Sequence, residues 1–94
     1  MHLVMTLISL APPPEHPERH IDRHQVTDII WATVAPADRL EHVYARSEEG
    51  RLDIALFLLA NTEQHAAQSG HRIIRKVLAG APALAGWTAH ERAP

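Results

Sequence analysis

The spacing of hydrophobic residues divides the 94-residue chain into segments typical of strands and segments typical of helices. His2–Leu10 and Arg51–Ala60 are continuous apolar runs of the kind found in strands that are buried on both faces. Leu40–Arg46 and Leu84–His90 are shorter and more polar, which is typical of strands at a sheet edge. The pattern therefore predicts four strands, of which the two most apolar lie in the middle of the sheet.

Two segments between these strands have helical spacing. Asp22 and Gln25 have the spacing of a capping box, and the helix that follows is expected to end before Pro36. Asn61 and Gln64 repeat the capping-box spacing before a second helix, which a glycine and a proline close. The apolar stripes of the two helices are Val26, Ile29, Ile30, Thr33 and Val34 in the first, and Ala66, Gly70, Ile73, Ile74, Val77 and Leu78 in the second.

The connections are consistent with one domain over residues 1–94. Residues 11–21 form a proline-rich loop without glycine, and Ser47–Gly50 forms the turn between the second and third strands. Residues 91–94 are expected to fray.

The resulting order, βαββαβ, resembles the ferredoxin-like fold over nearly the whole chain. This resemblance implies an α+β domain in which a four-stranded antiparallel sheet, of strand order 4-1-3-2, carries two helices on one face. Right-handed crossovers place the first and third strands in the middle. Their apolar character agrees with that position.

The central strands are apolar on both faces, although helices would cover only one. Leu52, Ile54, Leu56 and Leu58 are expected to face the helices, and so are Leu3, Met5 and Leu7. The opposite face, called the open face from here on, would then carry Val4, Thr6, Ile8, Tyr44, Ala55, Phe57 and Leu59. A contiguous apolar surface of this kind usually marks a binding partner, since leaving each large side chain exposed forgoes roughly 1.5–3 kcal/mol.

We expect the partner to be a second copy of the chain, packed face to face about a two-fold axis. There are two alternatives to self-association. The open face could bind a different partner protein, or it could merely tolerate a few exposed aliphatic residues. Face-to-face dimers of this kind resemble the dimeric α/β-barrel group of the ferredoxin-like superfamily, which includes cofactor-free monooxygenases, haem-handling enzymes and polyketide cyclases. The resemblance implies a pocket between the helices and the sheet. No family motif allows a catalytic residue to be carried over.

Composition narrows the functional classes. Cysteine is absent, which excludes disulfides, thiolate catalysis and cysteine-ligated metals, and favours a reducing, cytoplasmic location. The apolar residues 1–11 are too few to span a membrane and lack the basic start of a signal peptide. Net charge is −2 and the only basic cluster is at residues 71–76, so neither nucleic acid nor a membrane is an expected partner.

Eight histidines raise the question of a metal site. His16, His20 and His24 are spaced four apart, which would align them on a continuous helix. The capping signal at Asp22 places two of them before the helix, and Pro17 interrupts the run, so we expect no metal and no cofactor. A second pair, His2 and His90, is expected to lie together at one end of the open face if the fourth strand pairs antiparallel with the first.

No nucleophile-elbow, Walker or dinucleotide-binding motif occurs in the chain. The sequence thus favours a non-enzymatic, homodimeric binding or accessory protein, with a hydrophobic small molecule as a candidate ligand. The alternative is a small dimeric α/β-barrel enzyme, of the cofactor-free monooxygenase or cyclase type, that acts on a hydrophobic small molecule. That alternative requires an enclosed cavity with convergent polar groups.

Overall fold

A computed structural model describes residues 1–91 and shows an α+β fold of order βαββαβ. The strands are β1 (His2–Ala11), β2 (Leu40–Glu48), β3 (Arg51–Ala60) and β4 (Thr88–Glu91), and the helices are α1 (Arg23–Thr33) and α2 (Glu63–Gly80). Short 3-10 turns at Pro36–Asp38 and Pro82–Leu84 precede β2 and β4. No helix within residues 1–91 is both long enough and apolar enough to cross a membrane.

The sheet is antiparallel with strand order β2-β3-β1-β4, which is the predicted order read from its other edge. That prediction is confirmed. β1 pairs with β3 along nearly its whole length, from His2 opposite Ala60 to Leu10 opposite Leu52. β4 pairs only with the end of β1, from Ile8 to Ala11. The most apolar strands therefore occupy the centre.

The first helix begins where the sequence predicts. The Asp22 carboxylate accepts hydrogen bonds from the backbone N–H groups of His24 and Gln25, and so satisfies two of the unpaired donors at the start of α1. The cap of α2 is Thr62 rather than Asn61, because the Thr62 hydroxyl accepts from the backbone N–H of His65 at 3.0 Å. The prediction of Asn61 is thus wrong by one residue.

The last strand is shorter than predicted. Residues 82–84 form a 3-10 turn, Leu84 and Trp87 enter the core, and pairing starts only at Thr88. Gly86 has a φ of +83°, a conformation in which glycine avoids the steric cost of a side chain, and it turns the chain between these two buried residues. The predicted frayed tail begins at a residue that still belongs to β4, and residues 92–94 lie outside the described part of the chain.

Both helices pack on one face of the sheet, around a single main core. Its fully buried side chains come from β1, β3 and both helices, as in Ile8, Leu56, Ile30 and Ile73, while β2 contributes residues such as Val43 that are nearly buried. α1 lies mainly against β2, and α2 against β1 and β3. The space between helices and sheet is therefore occupied by packed aliphatic side chains.

The facing of β1 is opposite to the prediction. Val4, Thr6 and Ile8 were expected on the open face, but they lie beneath the helices with 9%, 6% and 0% of their surface exposed. The pairing of Thr6 with Leu56 accounts for this facing, because directly opposed residues of an antiparallel pair point to the same side of the sheet. A strand that is apolar at both its odd and its even positions does not specify by itself which set of side chains faces the helices.

The contact between Gly70 and Thr6 gives a direct test of this facing. A Cβ atom on Gly70 of α2 would lie 3.1 Å from Thr6 Cγ2 and 3.4 Å from Leu56 Cδ1. We expect Gly70→Ala to destabilise the protein by about 1 kcal/mol. Overpacking costs about 1–3 kcal/mol, which outweighs the gain of about 1 kcal/mol from the higher helix propensity of alanine. Urea unfolding would measure the change.

Thr6→Ser removes the crowding methyl group and is the matched background for this test. In that background Gly70→Ala should be neutral or stabilising, so the two substitutions should be coupled. Equal effects of Gly70→Ala in both backgrounds would mean that Thr6 does not lie under α2.

Candidate functional site: the open face of the sheet

The open face is ordered into rows by the pairing of the strands. Each row is a set of opposed residues on neighbouring strands that point away from the helices. In order from one end of the sheet, the rows are Leu59–Leu3, His42–Phe57–Met5, Tyr44–Ala55–Leu7 and Arg46–Asp53–Ser9–His90.

Apart from His42, the side chains of the first three rows are apolar or aromatic. The surface that we call the apolar patch consists of Leu3, Met5, Leu7, Tyr44, Ala55, Phe57 and Leu59. Leu3, Met5 and Tyr44 are 55%, 46% and 51% exposed, while Phe57 and Leu59 are half-buried by their neighbours. The His42 ring lies 5.5 Å from the Phe57 ring, tilted by 47°. These residues form one contiguous surface.

Four of the predicted interface residues lie in this patch, namely Tyr44, Ala55, Phe57 and Leu59. The other three, on β1, are replaced by Leu3, Met5 and Leu7, as the facing of that strand requires. A signal for this facing exists in the sequence. Ser9 shares its parity with Leu3, Met5 and Leu7, and it could have been matched to Asp53, the only carboxylate within β3.

The last row, called the polar row, closes one end of the patch. The Ser9 hydroxyl donates to Asp53 Oδ1 at 2.6 Å, and Arg51 Nε lies 3.1 Å from both carboxylate oxygens of Asp53. Arg46, opposite Asp53 on β2, forms an ion pair with Glu48. Each charged group of these ion pairs thus has a partner of opposite sign, Glu48 for Arg46 and Arg51 for Asp53, which makes the row a polar rim rather than a patch of one sign.

A shallow depression joins the apolar patch to the polar row. It has a volume of about 160 Å³, is open to solvent, and includes the small side chain of Ala55 in its lining. Leu7 and Tyr44 form its apolar walls, while Arg46 and Asp53 lie at its polar end. A planar or branched apolar group of a few atoms would fit this depression.

The candidate histidine ligands are not brought together. His16 pairs with Glu18 at 3.5 Å, the His20 ring hydrogen-bonds the Ser47 hydroxyl at 3.1 Å, and His24 lies in the first turn of α1. Residues 1–91 contain no group of three or more histidine, cysteine, aspartate or glutamate side chains placed to hold a metal ion.

The expected pairing of His2 with His90 is wrong. His90 lies opposite Ser9, because β4 pairs with the C-terminal end of β1. His2 is seven residues further along that strand, which separates the two by roughly 23 Å at about 3.3 Å per residue.

Comparisons with known proteins found no matching family model, no matching curated relative and no matching solved structure. The functional inference therefore depends on the open face and on the surfaces beside it.

Proposed function

We propose that this chain is a homodimeric binding or accessory protein with a ferredoxin-like fold, and that the open faces of two copies pack together as in dimeric α/β-barrel proteins. The apolar patch is the observation that supports this proposal. Its side chains are contiguous, come from three strands, and are bounded by a polar row at one end. Contiguous exposed apolar surface that is bordered by polar residues usually marks an interaction site.

The size of the open face sets the affinity that is expected of the dimer. Three strands about 4.8 Å apart and about ten residues long give a projected area of roughly 14 by 33 Å. This projection is about 460 Å², which is smaller than the roughly 800 Å² of accessible surface that each partner buries in a standard interface, so the expected dimer belongs to the small, weaker class.

The energetic balance agrees with this size. Moving a large side chain from half-exposed to buried contributes about 1 kcal/mol, so the two patches together contribute on the order of 10 kcal/mol. At the lower end of the cost of association, about 4 kcal/mol of lost translational, rotational and side-chain freedom, about 6 kcal/mol remains, which corresponds to a dissociation constant of tens of micromolar.

The rows restrict how two copies can pack. A two-fold axis parallel to the strands, lying between the sheets, places apolar rows on apolar rows and the polar row on its own copy. An axis perpendicular to the strands would instead place Arg46 and Asp53 over Leu3 and Leu59, where their charges would lose hydration without partners. We therefore propose aligned packing, with strands of the two sheets about 30° apart.

Phe57→Asp is expected to abolish dimerisation while the chain remains folded. Phe57 lies in the middle of the patch, and a charge there would be buried against apolar side chains in the dimer. Sedimentation equilibrium should show the unmodified chain as a dimer at tens of micromolar and the variant as a monomer at the same concentration.

Trp31→Asp is the matched control, because Trp31 is also large and 45% exposed but belongs to α1. It should leave the dimer intact. A monomeric unmodified chain at 100 µM, or a Phe57→Asp variant that still dimerises, would contradict the proposal.

A second candidate function is favoured by the depression around Ala55. In the proposed dimer this depression would be covered by the second sheet, with the Ser9–Asp53 pair at its border. An enclosed apolar cavity with polar groups at one end is the arrangement that a small dimeric enzyme of the monooxygenase or cyclase type needs for a hydrophobic substrate.

A further inference from the structure

We infer that the cleft between α1 and β2 binds an extended peptide segment of a partner protein, which adds a strand to the sheet beside β2. This inference can be tested separately from the proposed dimer. Tyr44 and Leu59 adjoin both surfaces, but Phe57, in the middle of the apolar patch, does not line the cleft. The expected peptide carries an acidic residue, a basic residue and a large apolar residue at alternate positions.

The first observation is the outer edge of β2. β2 is the terminal strand of the sheet, and no strand within residues 1–91 pairs with its outer side. Its outward backbone N–H and C=O groups are therefore available to a further strand. A register irregularity between Leu40 and His42 and the charged Arg46–Glu48 pair restrict the two ends of this edge, and the segment between them is the accessible part.

The second observation is that α1 forms a wall opposite this edge. The α1–β2 cleft is lined by five residues of α1 and by four consecutive residues of β2, and has a volume of about 440 Å³. Consecutive residues line it because the strand presents its backbone edge rather than one face. The lining residues are Arg23, His24, Thr27, Asp28 and Trp31 of α1, and His42, Val43, Tyr44 and Ala45 of β2.

The cleft continues past Trp31 into a second open depression of about 430 Å³. Val34, Leu40 and Leu59 form its apolar part, and Arg39 lies at its margin. From Arg23 to Val34 the helix rises about 16 Å at 1.5 Å per residue, which matches about five residues of an extended strand at about 3.3 Å each. A pentapeptide strand is therefore the natural occupant.

The charges along α1 define the chemistry of that occupant. Among residues 1–91, Arg23 and Asp28 form no ion pair within 4.0 Å, and both line the cleft. They are separated by a rise of about 7.5 Å, close to the repeat of about 6.7 Å between alternate side chains of a strand. An acidic residue opposite Arg23 thus places a basic residue opposite Asp28, and the next alternate residue between Trp31 and Val34, where an apolar side chain fits.

A second copy of the chain fits this cleft less well. Antiparallel pairing of the two β2 edges requires a two-fold axis perpendicular to the sheet. The helix-covered faces of the two copies would then lie on the same side of the joined sheet. The residues of the second β2 that faced the helix layer would then be Val43, Ala45 and Ser47. None of these carries a charge for Arg23 or Asp28. Charge complementarity therefore favours a foreign peptide strand.

Antiparallel pairing with β2 sets the direction of the peptide. β2 runs from the Trp31 end of the cleft toward the Arg23 end. The peptide should therefore read acidic-x-basic-x-apolar from its N-terminus. The probe is the labelled peptide Thr-Glu-Val-Lys-Val-Phe-Thr, blocked at both ends, and the control peptide exchanges its Glu and Lys.

Fluorescence anisotropy should show the probe binding at least ten-fold more tightly than the control peptide. The double variant Arg23→Glu/Asp28→Lys should reverse this preference, and Trp31→Asp should weaken both peptides at least five-fold. Hydrogen exchange should show protection of amides in the segment Glu41–Ala45 on addition of the probe. The Phe57→Asp variant should bind the probe like the unmodified chain, which separates this inference from the dimer.

Equal affinity for the two peptides, no binding of either below 1 mM, or an unchanged preference in the double variant would overturn the inference. It would also be overturned if the double variant, or Trp31→Asp, became monomeric while the unmodified chain is a dimer, since that result would make a second copy the occupant of the cleft.

Discussion

Ile8→Asp is expected to leave the chain unfolded in water at 25 °C. Ile8 is fully buried between the sheet and the helices, in the same cluster as Val26, Ile30 and Ile73. Loss of its packing lowers the free energy of unfolding by about 2–5 kcal/mol. A buried carboxylate without a partner lowers it by a further amount of about 3–5 kcal/mol. A domain of this size has a free energy of unfolding of about 5–10 kcal/mol. Far-ultraviolet circular dichroism and a urea titration would detect the loss of structure.

Met5→Asp is the control on the other face of the same strand. Met5 is 46% exposed in the monomer, so its replacement should change the free energy of unfolding of the monomer by less than about 1 kcal/mol while it weakens association. The two substitutions introduce the same carboxylate three residues apart. If Ile8→Asp folded normally and Met5→Asp did not, the facing of β1 described above would be wrong.

Gly86→Ala is expected to lower the free energy of unfolding by about 2–4 kcal/mol. Gly86 has a φ of +83°, which costs an alanine roughly 1–2 kcal/mol. A Cβ atom there would also lie 2.9 Å from Cγ and 3.4 Å from Cβ of Pro13. Pro13 is a buried, rigid ring that cannot rotate away, so we expect a further cost of about 1–3 kcal/mol from overpacking.

Gly50→Ala separates the two contributions. Gly50 has a φ of +76° in the turn between β2 and β3, but no heavy atom outside its chain neighbours lies within 4 Å of a Cβ placed there. The Gly50→Ala variant should therefore lose only the part of the stability that depends on the positive φ, which is about 1 kcal/mol of the free energy of unfolding. Urea unfolding of both variants would measure the difference, and equal losses at the two glycines would show that Pro13 does not pack against Gly86.

Gly86 also explains why the sequence is a poor guide to the last strand. Residues 84–90 have apolar residues at positions that suit a strand, yet Leu84 and Trp87 point into the core from a turn. The chain must cross the end of the sheet beside Pro13 before it can pair with β1. That path is set by contact with a residue more than seventy positions away, which no local pattern contains.

The two surfaces proposed for binding differ in how much of them the sequence could reveal. The sequence predicts an apolar patch, because the central strands are apolar at both odd and even positions. Tyr44, Phe57 and Leu59 could be placed on the patch directly. The α1–β2 cleft could not be found from local pattern, because Arg23, Asp28 and Trp31 read as ordinary polar or amphipathic helix positions. They become a site only where α1 packs beside the edge of β2.

By itself, the sequence determined the order of strands and helices, the first helix cap at Asp22, the central position of the two most apolar strands, and the presence of apolar surface in excess of what two helices can cover. These properties follow from local composition and period, which act over a few residues. Only the tertiary structure decided which face of β1 the helices cover, where β4 pairs, and which charges line the cleft. Each of these depends on pairing register and on contacts between distant segments, and for β1 both parities are apolar, so burial alone could not choose between them.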